Sequence, residues 1–246
     1  MDGLGYGRLR PAVQARERCY ARAAVKRQPG IAIAMGVRAV FLVGFMGSGK
    51  NTVGQELARR LAWDFVDLDA SIEAREGQTV PEIFRLQGEP AFRSAETSAL
   101  HDLLTNSLHR DSVVALGGGA FAQENNRELL RPWPSVFLDA PPQELWQRCL
   151  QDEAESGSGT QVERRPLRKD PDQFARLHAE RLPCYRQASL TVETSGKEPT
   201  TICLEIERAL HLTGAHEETS SNRSQNTAGK LSAGDRATPR SSSQES

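Results

Sequence analysis

The chain is poor in cysteine and has no long apolar run. The first argues against a cysteine metal or redox site, and the second against a membrane-spanning protein. The four cysteines of the 246-residue chain show neither the paired spacing of a zinc site nor that of a redox motif. Such cysteines are typical of reduced packing residues, which favours a cytoplasmic protein. No apolar stretch approaches the roughly 20 residues of a membrane-spanning helix, so we expect no membrane partner. The four are Cys19, Cys149, Cys184 and Cys203.

The chain also lacks an excess of either charge. Its 31 basic and 32 acidic side chains give a formal net charge of −1 with neutral histidines. Binding to nucleic acid or to an anionic membrane generally depends on an excess of positive charge. The balance of charges favours neither, and we expect no nucleic-acid partner.

The two ends of the chain lack the composition of its middle. Residues 1–34 carry seven basic and two acidic side chains, as an organelle-targeting segment does, but the absence of serine favours a dispensable extension over 1–35. Residues 215–246 contain eight serines and no aromatic residue, too little apolar surface to offset the entropy of ordering. We expect a working domain over 36–213 and a disordered serine-rich tail over 214–246.

A glycine-rich segment ending in lysine follows the first apolar run. Gly44, Gly49 and Lys50 have the glycine, four residues, glycine-lysine spacing of a P-loop. In such a loop backbone N–H groups surround phosphates, and the following helix directs its positive end and the lysine toward them. A turn without a ligand is the alternative, but the strand before and the helical pattern after favour a nucleotide. The predicted nucleotide contacts are Gly47, Ser48, Gly49, Lys50, Asn51 and Thr52.

The position after the P-loop lysine departs from the usual motif. A serine or threonine normally stands there and binds magnesium, whereas this chain has Asn51, with Thr52 one residue later. An amide oxygen is also a hard ligand, so Asn51 can coordinate magnesium; a shift of Thr52, or metal held by water and phosphates, is the alternative.

Two carboxylates end the next apolar run. Asp67 and Asp69 lie about 20 residues after the P-loop, where P-loop enzymes often place an acid that helps to hold magnesium. The second acid is suited to accept a hydrogen bond from a substrate hydroxyl. The alternative for one of them is a cap on a helix that begins near Ser71.

Short apolar strands alternate with helical patterns through the predicted domain. This alternation predicts an α/β fold of three αβα layers around a five-stranded parallel sheet. Ligands on such sheets bind beyond the carboxyl ends of the strands, where the P-loop, Asp67 to Asp69 and Gly117 to Gly119 all fall. The predicted strands are Val40–Phe45, Phe65–Leu68, Ser112–Leu116, Val136–Asp139 and Leu190–Glu193.

Two helix starts are also marked in the sequence. Thr79 and Glu82 have the spacing of a capping box, which predicts a short helix that Gly88 stops. Asp170 and the proline after it are typical of a cap and first turn, and they predict a helix that carries Arg181.

Six segments, taken together and in order, resemble the shikimate kinase family over roughly Val37 to Leu212. No single segment is specific, because many small kinases share the loop. The resemblance implies a P-loop kinase fold with a mobile lid over about 151–168. The six are Gly44 to Lys50, Asp67 to Asp69, Phe92-Arg93 with Glu96, Gly117 to Gly119, Arg165 to Leu167 and Arg181 to Tyr185.

The resemblance also implies an activity. Members of the family phosphorylate the 3-hydroxyl of shikimate with ATP, a step toward chorismate and the aromatic amino acids. It further implies ATP as co-substrate, one Mg²⁺ per subunit, shikimate as the small-molecule partner and a monomer.

Catalytic and nucleotide roles follow by position from the resemblance. Lys50, Asp69 and Arg165 are the expected catalytic residues, with Asp69 bonded to the substrate hydroxyls and Arg165 brought in by the lid. Arg148 is expected against the adenine, and Asp67 is expected to position magnesium through water, with Asn51 or Thr52 as further metal ligands.

Substrate binding is implied for a second group. Arg93 and Arg181 are expected to bind the substrate carboxylate, a task suited to guanidinium groups. Gly117, Gly118 and Gly119 are expected to bring backbone against the substrate ring. Other interpretations stay open: Arg93 could simply pair with Glu96, and Arg181 could be a helix-end cation.

Two other functions remain as alternatives to shikimate phosphorylation. One is another small-molecule P-loop kinase, such as a gluconate-type enzyme. The other is a nucleotide-binding regulatory protein without turnover, which Asn51 alone supports.

Arg164 also competes with Arg165 for the lid role, and only the Pro-Leu that follows favours Arg165.

Overall fold

The computed structural model of the chain describes residues 25–27, 37–108, 110–155 and 170–212. Arg165, most of the predicted lid and the predicted tail lie outside these residues. Within the described part, no helix combines the length and apolarity needed to cross a bilayer.

The described residues form an α/β fold around a six-stranded sheet. Five strands run parallel, as predicted, and one at the edge is antiparallel. The order across the sheet is β1-β6-β5-β2-β4-β3. The strands are β1 Val25–Arg27, β2 Ala39–Val43, β3 Asp64–Asp67, β4 Ser112–Ala115, β5 Ser135–Asp139 and β6 Leu190–Glu193.

Helices cover both faces of this sheet because alternate residues of each strand point to opposite sides. In β2, Val40 and Leu42 contact a cluster that includes α1 and α7, whereas Phe41 and Val43 belong to the cluster of α2 to α6. The helices are α1 Lys50–Leu61, α2 Leu68–Glu76, α3 Val80–Asp102, α4 Glu124–Leu130, α5 Pro142–Glu155, α6 Pro171–Tyr185 and α7 Pro199–Leu210.

The strand order places three motif-bearing loops side by side. β2 pairs with β4, and β4 pairs with β3, all in parallel. The P-loop follows β2, Asp67 ends β3, and a single residue, Leu116, separates Gly117 from β4. The carboxyl ends of parallel strands share one edge, so these loops meet there.

Candidate active site

The P-loop connects β2 to α1 with glycine at the turn. Gly49 precedes α1 with φ of 83°, a left-handed conformation that favours glycine. Lys50 is the first residue of α1, and its ammonium donates to the carbonyl oxygens of Gly44 at 3.0 Å and Phe45 at 2.9 Å. The lysine charge and the positive end of α1 therefore lie at the same loop, which suits phosphate.

Gly47 fits the loop against α5. A Cβ at Gly47 would lie 2.5 Å from the carbonyl oxygen of Leu145 and 2.9 Å from Sγ of Cys149. Its φ of 76° is also left-handed. Packing on α5 thus requires glycine here, a reason separate from the close approach of phosphate that the sequence suggests.

Asp67 has two structural roles at the end of β3. Its Oδ1 accepts hydrogen bonds from the backbone N–H groups of Asp69 at 2.9 Å and Ala70 at 3.3 Å, so it caps α2. Its Oδ2 accepts from Nδ2 of Asn51 at 2.6 Å. The cap considered from the sequence is therefore Asp67, and the helix begins at Leu68 rather than near Ser71.

The three glycines after β4 differ in what surrounds them. A Cβ at Gly117 would lie 2.4 Å from Oδ1 of Asp69, and one at Gly119 would lie 2.3 Å from the Arg93 guanidinium. A Cβ at Gly118 would have no neighbour closer than Met46 N, at 3.7 Å. Side-chain ends therefore fill the space beside Gly117 and Gly119, whereas the space beside Gly118 is open to van der Waals distance.

Arg93 lies beside this loop in an ion-pair network. Its guanidinium donates to Oε1 of Glu89 at 2.9 Å and to Oε2 of Glu96. Gln123 donates to the same Glu96 oxygen at 3.1 Å. Glu96 is fully buried, and this burial raises its pKa to about 7 although Arg93 opposes the shift. The pairing that the sequence offered as an alternative for Arg93 does exist, and it holds the guanidinium against Gly119.

Arg181 approaches the loop from α6. Its Nη1 donates to the carbonyl oxygen of Gly118 at 3.2 Å, and the hydroxyl of Tyr185 donates to the same oxygen. The Arg181 guanidinium also lies over the ring of Phe45, 5.8 Å from its centroid. Arg181 thus contacts both the P-loop and the glycine loop, which a simple helix-end cation would not do.

Arg148 lies at the other end of the site, on α5. It donates to Oε1 of Glu144 at 2.5 Å and to Oγ1 and the carbonyl oxygen of Thr194, each at 3.1 Å. Thr194 directly follows β6, so these contacts fix Arg148 beside the loop that leads to α7.

One cavity of about 910 Å³ brings most of the predicted residues together. Arg93, Gly117, Gly119 and Arg181 do not line it but contact the residues around Gly118. Arg165 lies outside the described residues. The predicted residues that line the cavity are Gly47, Ser48, Gly49, Lys50, Asn51, Thr52, Asp67, Asp69, Gly118 and Arg148.

Sequence reasoning assigned no role to three residues that the structure places at or behind this site. Glu96 and Tyr185 fall within the quoted motifs, and the spacing of Glu96 from Arg93 was the available signal. Lys197 lines the cavity and pairs with Glu205 at 2.8 Å. No local pattern marks Lys197, because the loop after β6 reaches the cavity only in the folded chain.

Comparison with known proteins identifies related proteins of one family. A family model described as shikimate kinase matches residues 46–211. The shikimate kinase of Rhodopseudomonas palustris is 40% identical over 185 residues, which are 74% of this chain and 85% of that protein. The shikimate kinase of Persephonella marina is 37% identical over 171 residues, 69% of this chain and 97% of that protein.

Solved structures give the same result. Shikimate kinase from Acinetobacter baumannii was solved in complex with shikimate. Its structure matches with a TM-score of 0.62 at 35% identity, over 71% of this chain and 93% of that chain. Shikimate kinase from Aquifex aeolicus has a TM-score of 0.58 at 32% identity, covering 70% and 96%. From the family match, the identities and the shared architecture, the chain belongs to the shikimate kinase family.

Proposed function

We propose that the chain transfers the γ-phosphoryl group of ATP to the 3-hydroxyl of shikimate, giving shikimate 3-phosphate and ADP. The observation that carries the proposal is the meeting of two kinds of group at one edge of the sheet. A phosphate-binding loop with Lys50 lies next to Asp69 and Gly118 on one cavity wall. Two arginines, Arg93 and Arg181, adjoin that wall. Membership of the family supports the same reaction.

ATP occupies the end of the cavity between the P-loop and Arg148. Lys50 and the N–H groups at the start of α1 bind the phosphates. Arg148 lies against the adenine, since its bonds to Thr194 and Glu144 fix its guanidinium beside the loop after β6. Arg165 completes the nucleotide site from the lid and neutralises charge on the transferring group.

Asn51 fits a magnesium ion as a direct ligand, and Asp67 fits one through a water molecule. Both offer oxygen, the ligand atom that Mg²⁺ prefers, and both line the cavity beside the P-loop. Because the Asn51 amide nitrogen donates to Asp67, the Asn51 amide oxygen remains for the metal. Thr52, exposed on the same wall, is the second candidate. The ion would neutralise phosphate charge during transfer.

Asp69 accepts a hydrogen bond from the attacking hydroxyl and helps to remove its proton. Arg93 and Arg181 bind the substrate carboxylate, and Gly118 leaves room for the ring because no protein atom occupies the place of its missing side chain. This arrangement disfavours a neutral polyol as substrate, since two arginines would then have no carboxylate to bind. We also propose that the protein is a monomer and that it acts in the cytoplasm.

The test is ADP release by the full chain with ATP, Mg²⁺ and shikimate, beside blanks without shikimate, with EDTA, and with gluconate as acceptor. We expect release that depends on shikimate and metal despite Asn51. Asp69→Asn should slow it by roughly 100-fold or more, the usual contribution of a general base. Asp111→Asn is the matched control. Asp111 pairs with Arg38 at the amino ends of β2 and β4, at the end of these strands opposite to the cavity.

Two outcomes would contradict the proposal. Release that responds to gluconate but not to shikimate would make the chain a gluconate-type kinase. Tight ATP binding without acceptor-dependent release would favour the regulatory alternative and make Asn51 the first residue to replace, by serine.

A further inference from the structure

Tyr185 is the last residue of α6 and belongs to the core rather than to the cavity wall. Its side chain is completely buried, and its ring stacks on Phe137 of β5 with centroids 5.3 Å apart and an interplanar angle of 26°. A buried phenol needs a hydrogen-bond partner, because an unsatisfied hydroxyl costs free energy. The hydroxyl of Tyr185 finds this partner in the glycine loop, at the carbonyl oxygen of Gly118.

The hydroxyl of Tyr185 lies between two groups proposed to bind substrate. It donates to the carbonyl oxygen of Gly118, which is also the acceptor for Arg181. Arg181 in turn donates to the same Gly118 oxygen at 3.2 Å. Arg181 and Tyr185 are four residues apart on one helix face, so both side chains point to the same place.

Fixing the Gly118 carbonyl also fixes the peptide unit that follows it. A trans peptide is planar, so the direction of this carbonyl sets the direction of the Gly119 N–H. Gly119 is in turn packed against the Arg93 guanidinium, where a Cβ would lie 2.3 Å from Nη1. Glycine has wide backbone freedom, and a loop of three glycines needs outside contacts to hold one conformation.

We propose that Tyr185 is a positioning residue for the substrate carboxylate site, holding Arg181 and the Gly118–Gly119 peptide in the geometry that binds shikimate. The inference rests on the proposed function. Tyr185 touches no substrate, since its side chain has no exposed surface. Burial raises the pKa of Tyr185 to about 12, so the phenol remains a donor throughout the neutral range.

The test is Tyr185→Phe in the full chain, which removes the hydroxyl and keeps the ring on Phe137. We expect the Kd and KM for shikimate to rise about tenfold, as for loss of one buried hydrogen bond to the Gly118 carbonyl. The KM for ATP should change less than about twofold, because the P-loop and Arg148 bond to other groups. Calorimetric titration with shikimate measures the Kd without turnover.

Ser189→Ala is the matched control. The hydroxyl of half-buried Ser189 also bonds to backbone, accepting from Ser135 N at 2.7 Å and donating to Ser135 O at 3.0 Å, but it lies at the amino ends of β5 and β6. We expect this variant to lose thermal stability without any change in shikimate Kd. A purely structural role for Tyr185 would give the same pattern in Tyr185→Phe.

A double-mutant cycle with Arg181→Lys tests whether Tyr185 acts through Arg181. The two changes should weaken shikimate binding by less than the product of their separate effects. Should the Phe variant fail to fold, Tyr185→Met removes the same hydroxyl with a flexible apolar side chain.

The outcomes separate the two proposals. A wild-type chain without shikimate-dependent ADP release contradicts the proposed function itself. Wild-type turnover together with an unchanged shikimate Kd in Tyr185→Phe overturns the positioning role alone.

Discussion

Gly118 differs from its two neighbours at the scale of single residues. Beside Gly117 and Gly119, the ends of the Asp69, Glu96 and Arg93 side chains occupy the space that an added side chain would take. Around Gly118 the nearest atoms would be at ordinary van der Waals distance from an added Cβ, at 3.7 Å and 3.8 Å. A glycine that neither packing nor a positive φ requires is most simply explained by a ligand that approaches its backbone.

Gly118→Ala should therefore separate binding from folding. We expect the melting temperature to stay within about 2 °C of the wild type, as for surface changes within about 0.5 kcal/mol. The KM for shikimate should rise at least tenfold, about 1.4 kcal/mol, because the methyl group takes substrate volume. Steady-state kinetics and thermal denaturation of the same sample measure both.

Gly117→Ala serves as the contrasting variant. Its Cβ would lie within 2.7 Å of both Asp69 and Glu96 carboxylate oxygens, so this change should lower the melting temperature as well as activity. Equal stability losses in the two variants would show that Gly118 is also required by the fold.

Two buried titratable residues give opposite contributions to the pH dependence of folding. Burial lowers the pKa of His178 from 6.5 to about 4, so its stabilising contribution is complete above pH 6.5 and is lost as the pH falls through 4. Burial raises the pKa of Glu96 from 4.5 to about 7, so its contribution is complete below pH 4.5 and is lost as the pH rises through 7.

Replacing either residue should remove its own contribution to the pH dependence of the free energy of unfolding and leave the contribution of the other residue. In His178→Gln we expect the free energy of unfolding to fall less than in the wild type between pH 6.5 and 4. In Glu96→Gln we expect it to fall less than in the wild type as the pH rises from 4.5 to 7. Urea denaturation at half-unit pH steps, without ligand, measures both slopes. His101→Gln, at an exposed imidazole, is the control and should match the wild type.

Residue spacing predicted the P-loop, Asp67 and the glycine loop because each forms from consecutive residues. The geometry around Glu96 and Tyr185 required the fold, since their partners Gln123 and Gly118 are 27 and 67 residues away in sequence. A motif can show that such a residue is present, but only tertiary structure shows what its side chain contacts. The lid role of Arg165 stays a prediction.

At the scale of elements, helix boundaries followed local chemistry. Glu82 accepts from the backbone N–H of Thr79 at 2.8 Å, as the capping box predicts, and Asp170 caps α6 through the N–H groups of Asp172 and Gln173. Gly88 has a non-helical backbone, with φ of 84°, inside the span of α3, so a kink there separates the short helix that the sequence predicts from the rest of α3. The second half of α3 then carries Arg93 toward the glycine loop.

Strand β1 was not predicted. It consists of three residues, Val25–Arg27, within the segment interpreted as a dispensable extension. Three residues are too few for an alternating pattern, and an antiparallel edge strand depends on a neighbour that lies far along the chain. Its partner is β6, with Val25 opposite Val192 and Arg27 opposite Leu190.

At the scale of the whole molecule, two strands separate β1 from the P-loop strand β2. β1 lies at one edge of the sheet, and β5 and β6 stand between it and β2. Deleting residues 1–35 should therefore leave kcat and both KM values within about twofold of the full chain. The melting temperature should fall by about 2–4 °C, as for roughly 1 kcal/mol in a domain of this size.

A chain that begins at residue 25 is the control, because it retains β1 and lacks the first 24 residues. Its melting temperature should equal that of the full chain. Loss of shikimate-dependent ADP release in the shorter chain alone would show that β1 is required for the active fold, and that the extension is not dispensable.

The carboxylate of Asp67 couples the residue at position 51 to the first turn of α2. One oxygen caps α2, and the other accepts the amide of Asn51. Exchange of Asn51 for the serine usual in P-loops would restore a hydroxyl near the nucleotide but deprive Asp67 of its 2.6 Å donor. A change at position 51 therefore also acts on the start of the helix at Leu68, because one carboxylate makes both contacts.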